Sequence, residues 1–190
     1  MIRALFKVII MVLETKRLIL RNWKMEDAES MFLYAKDKEV GPICGWPPHE
    51  SIEISKMVLA SFIEKPNCFA ICKKEDIDNP IGCIELMNFT TKVRNNNEAE
   101  LGYWLGRPFW GLGYMPEAAS KLIEYGFNEL GLNLIWCSYF SGNNKSKRVQ
   151  EKLGFKYHHT GPEKMVESLN EIRCEEINYL TKEEFLKNNN

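Results

Sequence analysis

The stretch RPFWGLGYMPEA, residues 107–118, sets Gly111 and Gly113 directly ahead of Pro116, Glu117 and a run of helix formers. Proline suits the first turn of a helix and an acid suits its positive end. Glycines just before such a start let backbone N–H groups approach an anion where the helix dipole favours it. The turn is therefore expected to cradle phosphate with the amides of Trp110, Gly111, Leu112, Gly113, Tyr114 and Met115. A nucleoside-triphosphate loop would need lysine and a hydroxyl residue after its last glycine, where this chain has Tyr114 and Met115. A dinucleotide fold would want a third glycine at Pro116 and an acid closing the next strand, but that strand runs out into YFSGNN, residues 139–144. A diphosphate grip without a metal is what remains.

Working outward, EAELGYWLG (residues 98–106) reads as a strand leading into the turn. After it, Ala119, Leu122, Ile123, Phe127 and Leu130 share one face of an amphipathic helix stopped near Gly131. NLIWCSYF then gives another strand, and NNKSKRVQEKLGF a short helix capped by Asn143 or Asn144 and ended by Gly154. Upstream, RLILRNW predicts a first strand. Met31, Phe32 and Ala35 mark one helix, and Ser51 caps a second carrying Ile54, Val58 and Phe62. Two apolar runs around Asp78 and Asn79 predict an antiparallel hairpin, and strands near residues 155–159 and 176–180 close the chain. His158 and His159, adjacent on a strand, are expected on opposite faces, which excludes a simple two-ligand metal site.

The chain has 190 residues, 45% of them hydrophobic, enough for one domain with a substantial core. Residues 1–12 read as an N-terminal extension, with Met1 and Met11 both open as starts, residues 13–187 as the single domain, and 188–190 as a disordered tail. A net charge of −1 gives no general attraction to nucleic acid or an anionic membrane, and no apolar run reaches the roughly 20 residues of a membrane span. Six cysteines without metal-ligand spacing suggest reduced thiols in a cytoplasmic protein.

Together, LGYWLGRPFWGLGYMPEA and NNKSKRVQEKLGF resemble the acetyl-CoA-binding core of the GNAT superfamily of N-acetyltransferases, over residues 18–185. The family loop Q/R-x-x-G-x-G/A aligns with Trp110, Gly111, Leu112, Gly113, Tyr114 and Met115, departing at Trp110 and Met115. Those departures are similar to the RimJ/RimL branch, which acetylates N-terminal amines of ribosomal proteins and, in many relatives, other amines. The resemblance implies an α+β, three-layer fold: a mixed, mostly antiparallel central sheet with splayed middle strands, and helices on both faces. It implies acetyl-CoA as cosubstrate, no metal, and a primary amine as acceptor, either a protein N-terminus or a small molecule, in a monomer or homodimer.

By the same resemblance, Trp104 and Leu105 supply backbone contacts to pantetheine, opposite the strand IWCSYF. Asn143 matches an asparagine that bonds the pantetheine arm, while its position equally suits a helix cap. The tyrosine that protonates the leaving thiolate in many members is replaced by Gln150, and Ser146 matches the serine that RimL-like enzymes hold near the CoA sulfur. Direct attack needs a deprotonated amine. Glu98 and Glu100 share a strand face at the splay, and both are candidates for the base, with Glu100 the first choice and Glu98 otherwise on the acceptor side. Trp46 and His49, in the loop between the early helices, either wall the acceptor site or pack against the prolines. Lys147 and Arg148 are possible partners of the CoA 3′-phosphate or solvated surface. Cys137 lacks a histidine base and is read as inert. The absent tyrosine leaves one alternative to catalysis, a non-catalytic acyl-CoA-binding or regulatory module; a third reading, a nucleotide-binding protein, predicts ATP or NAD binding.

Overall fold

The computed structural model describes residues 11–88 and 90–188. Among the described residues ten strands form: β1 (Val12–Glu14), β2 (Leu18–Asn22), β3 (Cys68–Lys73), β4 (Gly82–Met87), β5 (Glu98–Leu105), β6 (Leu134–Phe140), β7 (Lys156–Thr160), β8 (Lys164–Val166), β9 (Glu171–Arg173) and β10 (Glu175–Thr181). The helices are α1 (Ala28–Ala35), α2 (Ile52–Ile63), α3 (Tyr114–Asn128), α4 (Asn144–Lys152) and α5 (Lys182–Asn188). The main sheet runs β1-β2-β3-β4-β5-β6-β10-β7, antiparallel except where β5 meets β6. This is the expected mixed α+β sheet.

Alternation along the strands divides the interior between two faces. Phe69 and Ile71 of β3 point to a core shared with Ala118, Leu122, Ile123 and Phe127 of α3. Cys68, Ala70 and Cys72 of the same strand point to a second core with Met31 and Ala35 of α1 and Leu59 of α2. Three layers result, and full burial of Leu122, Ile123 and Phe127 contributes about 1.5–3 kcal/mol each. Ser51 caps α2, accepting the Ile54 N–H, as its position predicted.

Three features depart from the sequence reading. Val12, assigned to the extension, opens β1, and Asn188, assigned to the tail, closes α5; residues 1–10, 189 and 190 lie outside the described residues. The hairpin β8–β9 was not anticipated, because three-residue strands carry too little alternation to read. The two histidines do not alternate either. The register between β10 and β7 shifts between Ile177 and Asn178, so His158 is the extra residue of a bulge, and its Nδ1 lies 2.6 Å from that of His159. Among the described residues, no helix is long and apolar enough to cross a membrane.

Candidate active site

The parallel ladder between β5 and β6 ends at Leu101 and Cys137, while β5 stays paired to β4 as far as Leu105 and Gly82. Residues 102–105 thus present an edge with no strand beside it, and a cavity of about 700 Å³ opens there, a size typical of ligand sites. Which backbone groups face it follows from alternation. The Gly106 N–H donates to the Ile81 carbonyl at 2.8 Å, so Trp104, two residues earlier, also turns its backbone to β4, and Tyr103 and Leu105 turn theirs to the cleft. Accordingly, the Cys44 thiol donates to the Tyr103 carbonyl at 3.9 Å and the Trp110 indole to the Leu105 carbonyl at 2.7 Å. The expectation for Trp104 is corrected in this respect. Its backbone belongs to the β4 ladder, and it offers the cavity its ring, which meets Trp46 edge-on.

At one end of the cavity lies the glycine turn. Gly111 and Gly113 adopt φ of 76° and 79°, the left-handed region that glycine enters without penalty. Gly113 caps α3, whose first amides have no intrahelical acceptor. Arg17, just ahead of β2, holds this turn: its Nη1 donates to the Leu112 carbonyl at 3.0 Å and its guanidinium lies over the Tyr114 ring. Glu117 in turn accepts from the Thr15 hydroxyl at 2.6 Å, and from the Arg17 N–H and Nε–H at 2.7 Å each. Burial raises the Glu117 pKa, but these bonds outweigh it and leave the carboxyl below its ordinary value. Of the predicted cradle, Trp110, Gly111, Gly113, Tyr114 and Met115 line the cavity; the Leu112 side chain is exposed and does not. The Trp110 N–H is taken by the Arg107 carbonyl at 3.1 Å, so the ring of Trp110, not its amide, serves the site.

Helix α4 forms one wall. Asn143 is its cap, accepting the Ser146 N–H at 3.1 Å, with its amide nitrogen 3.5 Å from the Ile43 carbonyl. The Ser146 and Tyr103 hydroxyls are 2.8 Å apart. Behind them Gln150 donates to the Ser146 hydroxyl at 3.3 Å and accepts from Asn178 at 2.7 Å. Lys145, Arg148 and Lys152 line the cavity, with the Lys145 ammonium 3.9 Å from the centre of the Trp110 ring. Lys147 instead borders a separate surface cavity beside Glu151.

Towards the other end sits Glu100, buried and lining the cavity. Its Oε1 accepts from the Ser138 hydroxyl at 2.6 Å and pairs with Lys92 at 3.0 Å; Lys92 also pairs with Glu175 at 3.2 Å. Burial opposes the Lys92 charge, yet the two carboxylates outweigh it and hold the ammonium above its ordinary pKa. Glu98 shares the face of Glu100 but not the cavity. Its carboxylate accepts from the Trp136 indole at 3.0 Å, Asn95 at 2.8 Å and the Arg94 N–H at 3.2 Å, which anchors the turn before β5. Trp46 and His49 also stay out of the lining. His49 bonds Ser55 at 2.8 Å, burial lowers its pKa, and its ring packs against Trp46. From that same loop, Ile43 and Cys44 reach the cavity.

The reading of the sequence missed Tyr103, Lys92, Ser138 and Arg17. Tyr103 and Trp104 are adjacent aromatics, and the sequence does not carry the bond from Gly106 to Ile81 that sets which backbone turns to the cleft. Lys92 reaches Glu100 from the turn just before β5 and Arg17 reaches Glu117 from far away in sequence, and no local pattern signals either pairing.

The sequence profile of the family described as "Acetyltransferase (GNAT) domain" matches residues 17–156. YoaA of Bacillus subtilis (strain 168), named as an uncharacterized N-acetyltransferase, is 34% identical over 148 residues, covering 76% of this chain and 82% of its own. A solved GNAT-family acetyltransferase from Bacillus anthracis superposes with a TM-score of 0.81 at 23% identity, covering 92% of this chain and 100% of that one. The microcin C7 self-immunity acetyltransferase MccE, solved with acetyl-CoA and AMP, gives a TM-score of 0.69 at 20% identity, covering 87% of this chain and 93% of its own. At these identities the two structures share the fold.

Proposed function

Because this chain belongs to the GNAT family of acetyl-CoA-dependent N-acetyltransferases, we propose that its cleft aligns the acetyl thioester for direct attack by a primary amine, without an acyl-enzyme. One observation carries the reading: the parallel ladder stops at Leu101 and Cys137, and the cavity so opened runs from the glycine turn to Glu100. Acetyl-CoA fits the residues that line it. Free amides at the start of α3 suit the diphosphate, Lys145, Arg148 and Lys152 suit the further phosphate, and the open edge of Tyr103 and Leu105 suits an extended pantetheine arm. When bound, acetyl-CoA supplies the activated acyl group.

Glu100 is the base in this reading. Ser138 and Lys92 hold its Oε1, which leaves Oε2 to take the ammonium proton directly or through water. The Leu105 N–H, facing the cleft, is the donor for the oxyanion, and Ser146 donates to the departing sulfur. Similarity of residues 101–118 and 143–155 to the RimJ/RimL type supports an acceptor that is a protein N-terminus or a small-molecule amine of comparable reach, in a cytoplasmic protein acting as monomer or homodimer.

Incubation with acetyl-CoA and a panel of N-terminal peptides, polyamines and aminoglycosides, read by free-thiol release, tests the proposal. Acceptor-dependent release is expected. Tight CoA binding by calorimetry with no release from any acceptor would overturn it in favour of a non-catalytic acyl-CoA-binding module.

A further inference from the structure

Gln150 occupies the place where a tyrosine acid stands in many members of the family, and its carboxamide has no acidic proton with which to take over that task. It is buried and bonded at both ends, to Asn178 and to Ser146. A phenol nonetheless reaches the same serine from the opposite wall. Tyr103, on the splayed part of β5, places its hydroxyl 2.8 Å from the Ser146 hydroxyl, and both residues line the cavity. We propose that Tyr103 and Ser146 form a hydroxyl pair that protonates the departing CoA sulfur, with Gln150 and Asn178 as the positioning residues behind it. The proposal rests on the acetyl-transfer reading above and deepens it.

Hydrogen-bond accounting supports the assignment. Asn178 donates to the Gln150 carbonyl oxygen, so the Gln150 amide nitrogen is the end that faces Ser146. That N–H fills one of the two acceptor positions on the serine oxygen. The bond between Tyr103 and Ser146 uses one of the pair's two hydroxyl hydrogens. A second contact, from the Tyr103 hydroxyl to the Ser146 carbonyl at 3.5 Å, is too long to hold the other. One hydrogen is therefore left to donate into the cavity.

Placement across the sheet supports it as well. Tyr103 and Glu100 are three residues apart on β5 and so project to opposite faces. Glu100 emerges with Trp104 on the side of α1 and α2, where its partner is Ser138. Tyr103 emerges towards the core of α3 and meets α4. The base thus meets an amine arriving through one face, and the hydroxyl pair meets the sulfur leaving through the other. Burial, reinforced by the neighbouring Cys137, pushes the Tyr103 phenol well above its ordinary pKa, against the opposing effect of its bonds to Ser146 and Gln150. It therefore keeps its proton through neutral pH, until thiolate charge develops. The Cys44 thiol, pushed up to about 12 by burial, already donates to the Tyr103 carbonyl.

The step balances. Glu100 removes one ammonium proton, which passes to solvent. The nitrogen–carbon bond then forms and the carbon–sulfur bond breaks, leaving its electron pair on sulfur. The sulfur takes a proton from the hydroxyl pair, which recovers one from solvent, and the nitrogen gives its second proton to Glu100 on its own side of the sheet, which leaves the amide and the free thiol.

The test is a double-mutant cycle of Tyr103→Phe and Ser146→Ala, scored by kcat, by KM for acetyl-CoA and by the thermal shift that CoA produces. Each single variant should lose about 100- to 1,000-fold in kcat, within the span of general-acid contributions, with KM changed less than about threefold. The double variant should fall little below the worse single, since groups acting as one unit are not additive. A Tyr103→Phe enzyme within about threefold of the parent kcat, or losses that multiply in the double variant, would overturn the proposal while acetyl transfer stands. A parent enzyme that acetylates nothing would instead refute the acetyl-transfer reading. Should Tyr103→Phe fail to show the CoA thermal shift, Ser146→Ala alone decides, and an unchanged kcat there overturns the pair.

Discussion

Replacing Glu117 by Gln tests whether a carboxylate outside the cleft sets the shape of the glycine turn proposed to hold the diphosphate. The wild-type side chain accepts three bonds, from the Thr15 hydroxyl and from two groups of Arg17. Charge-assisted bonds contribute about 1.5–3 kcal/mol each when sheltered. Arg17 is 41% exposed, which places its share at the low end through solvent screening. Glutamine retains the size and one acceptor oxygen, so the expected net loss is about 2 kcal/mol, or roughly 4–8 °C in Tm for a chain of this length. The sign of its pH dependence follows from a folded pKa held below the unfolded one. The carboxylate's contribution is complete above the unfolded value of about 4.3 and vanishes as pH falls through the folded value. Urea midpoints of the parent and Glu117→Gln should therefore differ by a constant amount between about pH 5 and 8, and the gap should close as the pH falls from about 4.3 through the lower folded value. Because Arg17 also holds the Leu112 carbonyl, KM for acetyl-CoA should rise about 5- to 20-fold, or about 1–2 kcal/mol. Equal midpoints at neutral pH, a gap that persists in acid, or an unchanged KM would each refute the reasoning.

Gly113→Ala forces a side chain into left-handed backbone, 3.4 Å from the Arg17 guanidinium, and should cost about 1–2 kcal/mol in stability and raise KM for acetyl-CoA; calorimetry and steady-state kinetics check both. Glu100→Gln should lower kcat by about 10²-fold or more with CoA affinity unchanged by titration calorimetry. Lys92→Met removes the cation between Glu100 and Glu175, leaving two carboxylates face to face. The kcat at neutral pH should therefore fall by about 3- to 30-fold with KM for acetyl-CoA changed less than about threefold, and an unchanged kcat would separate Lys92 from the base.

Strand and helix placement were legible because the long elements carry one clear signal each: a continuous apolar run in β3, a stripe in α3, a side-chain cap at Ser51. The glycine turn was legible for the same reason, since positive φ leaves glycine as its mark. What escaped depends on phase or on distance. Trp104 and Tyr103 are equally aromatic, and only the bond from Gly106 to Ile81 decides which backbone opens to the cleft. Glu98 and Glu100 are equivalent by alternation; their partners, Trp136 and Ser138, separate them, and those belong to a strand 38 residues away. The bulge at His158 depends on the pairing of β10, which no property of the two histidines reveals.

An unpaired strand edge inside a fold is costly unless other groups meet its polar atoms. Here the Leu105 carbonyl is met by the Trp110 indole and the Tyr103 carbonyl by the Cys44 thiol. Side chains thus substitute for the strand that diverges, and the cleft is held open by the same chain that lines it. The two contacts differ in strength. An indole bond of 2.7 Å is strong, while a thiol at 3.9 Å is a weak donor. In the proposed reading the Tyr103 carbonyl is therefore the acceptor that a pantetheine amide would recruit at least expense, with the Trp110 bond kept beside it. The departure at Trp110 from the family loop then has a physical role: its indole secures the end of β5 where the diphosphate turn begins.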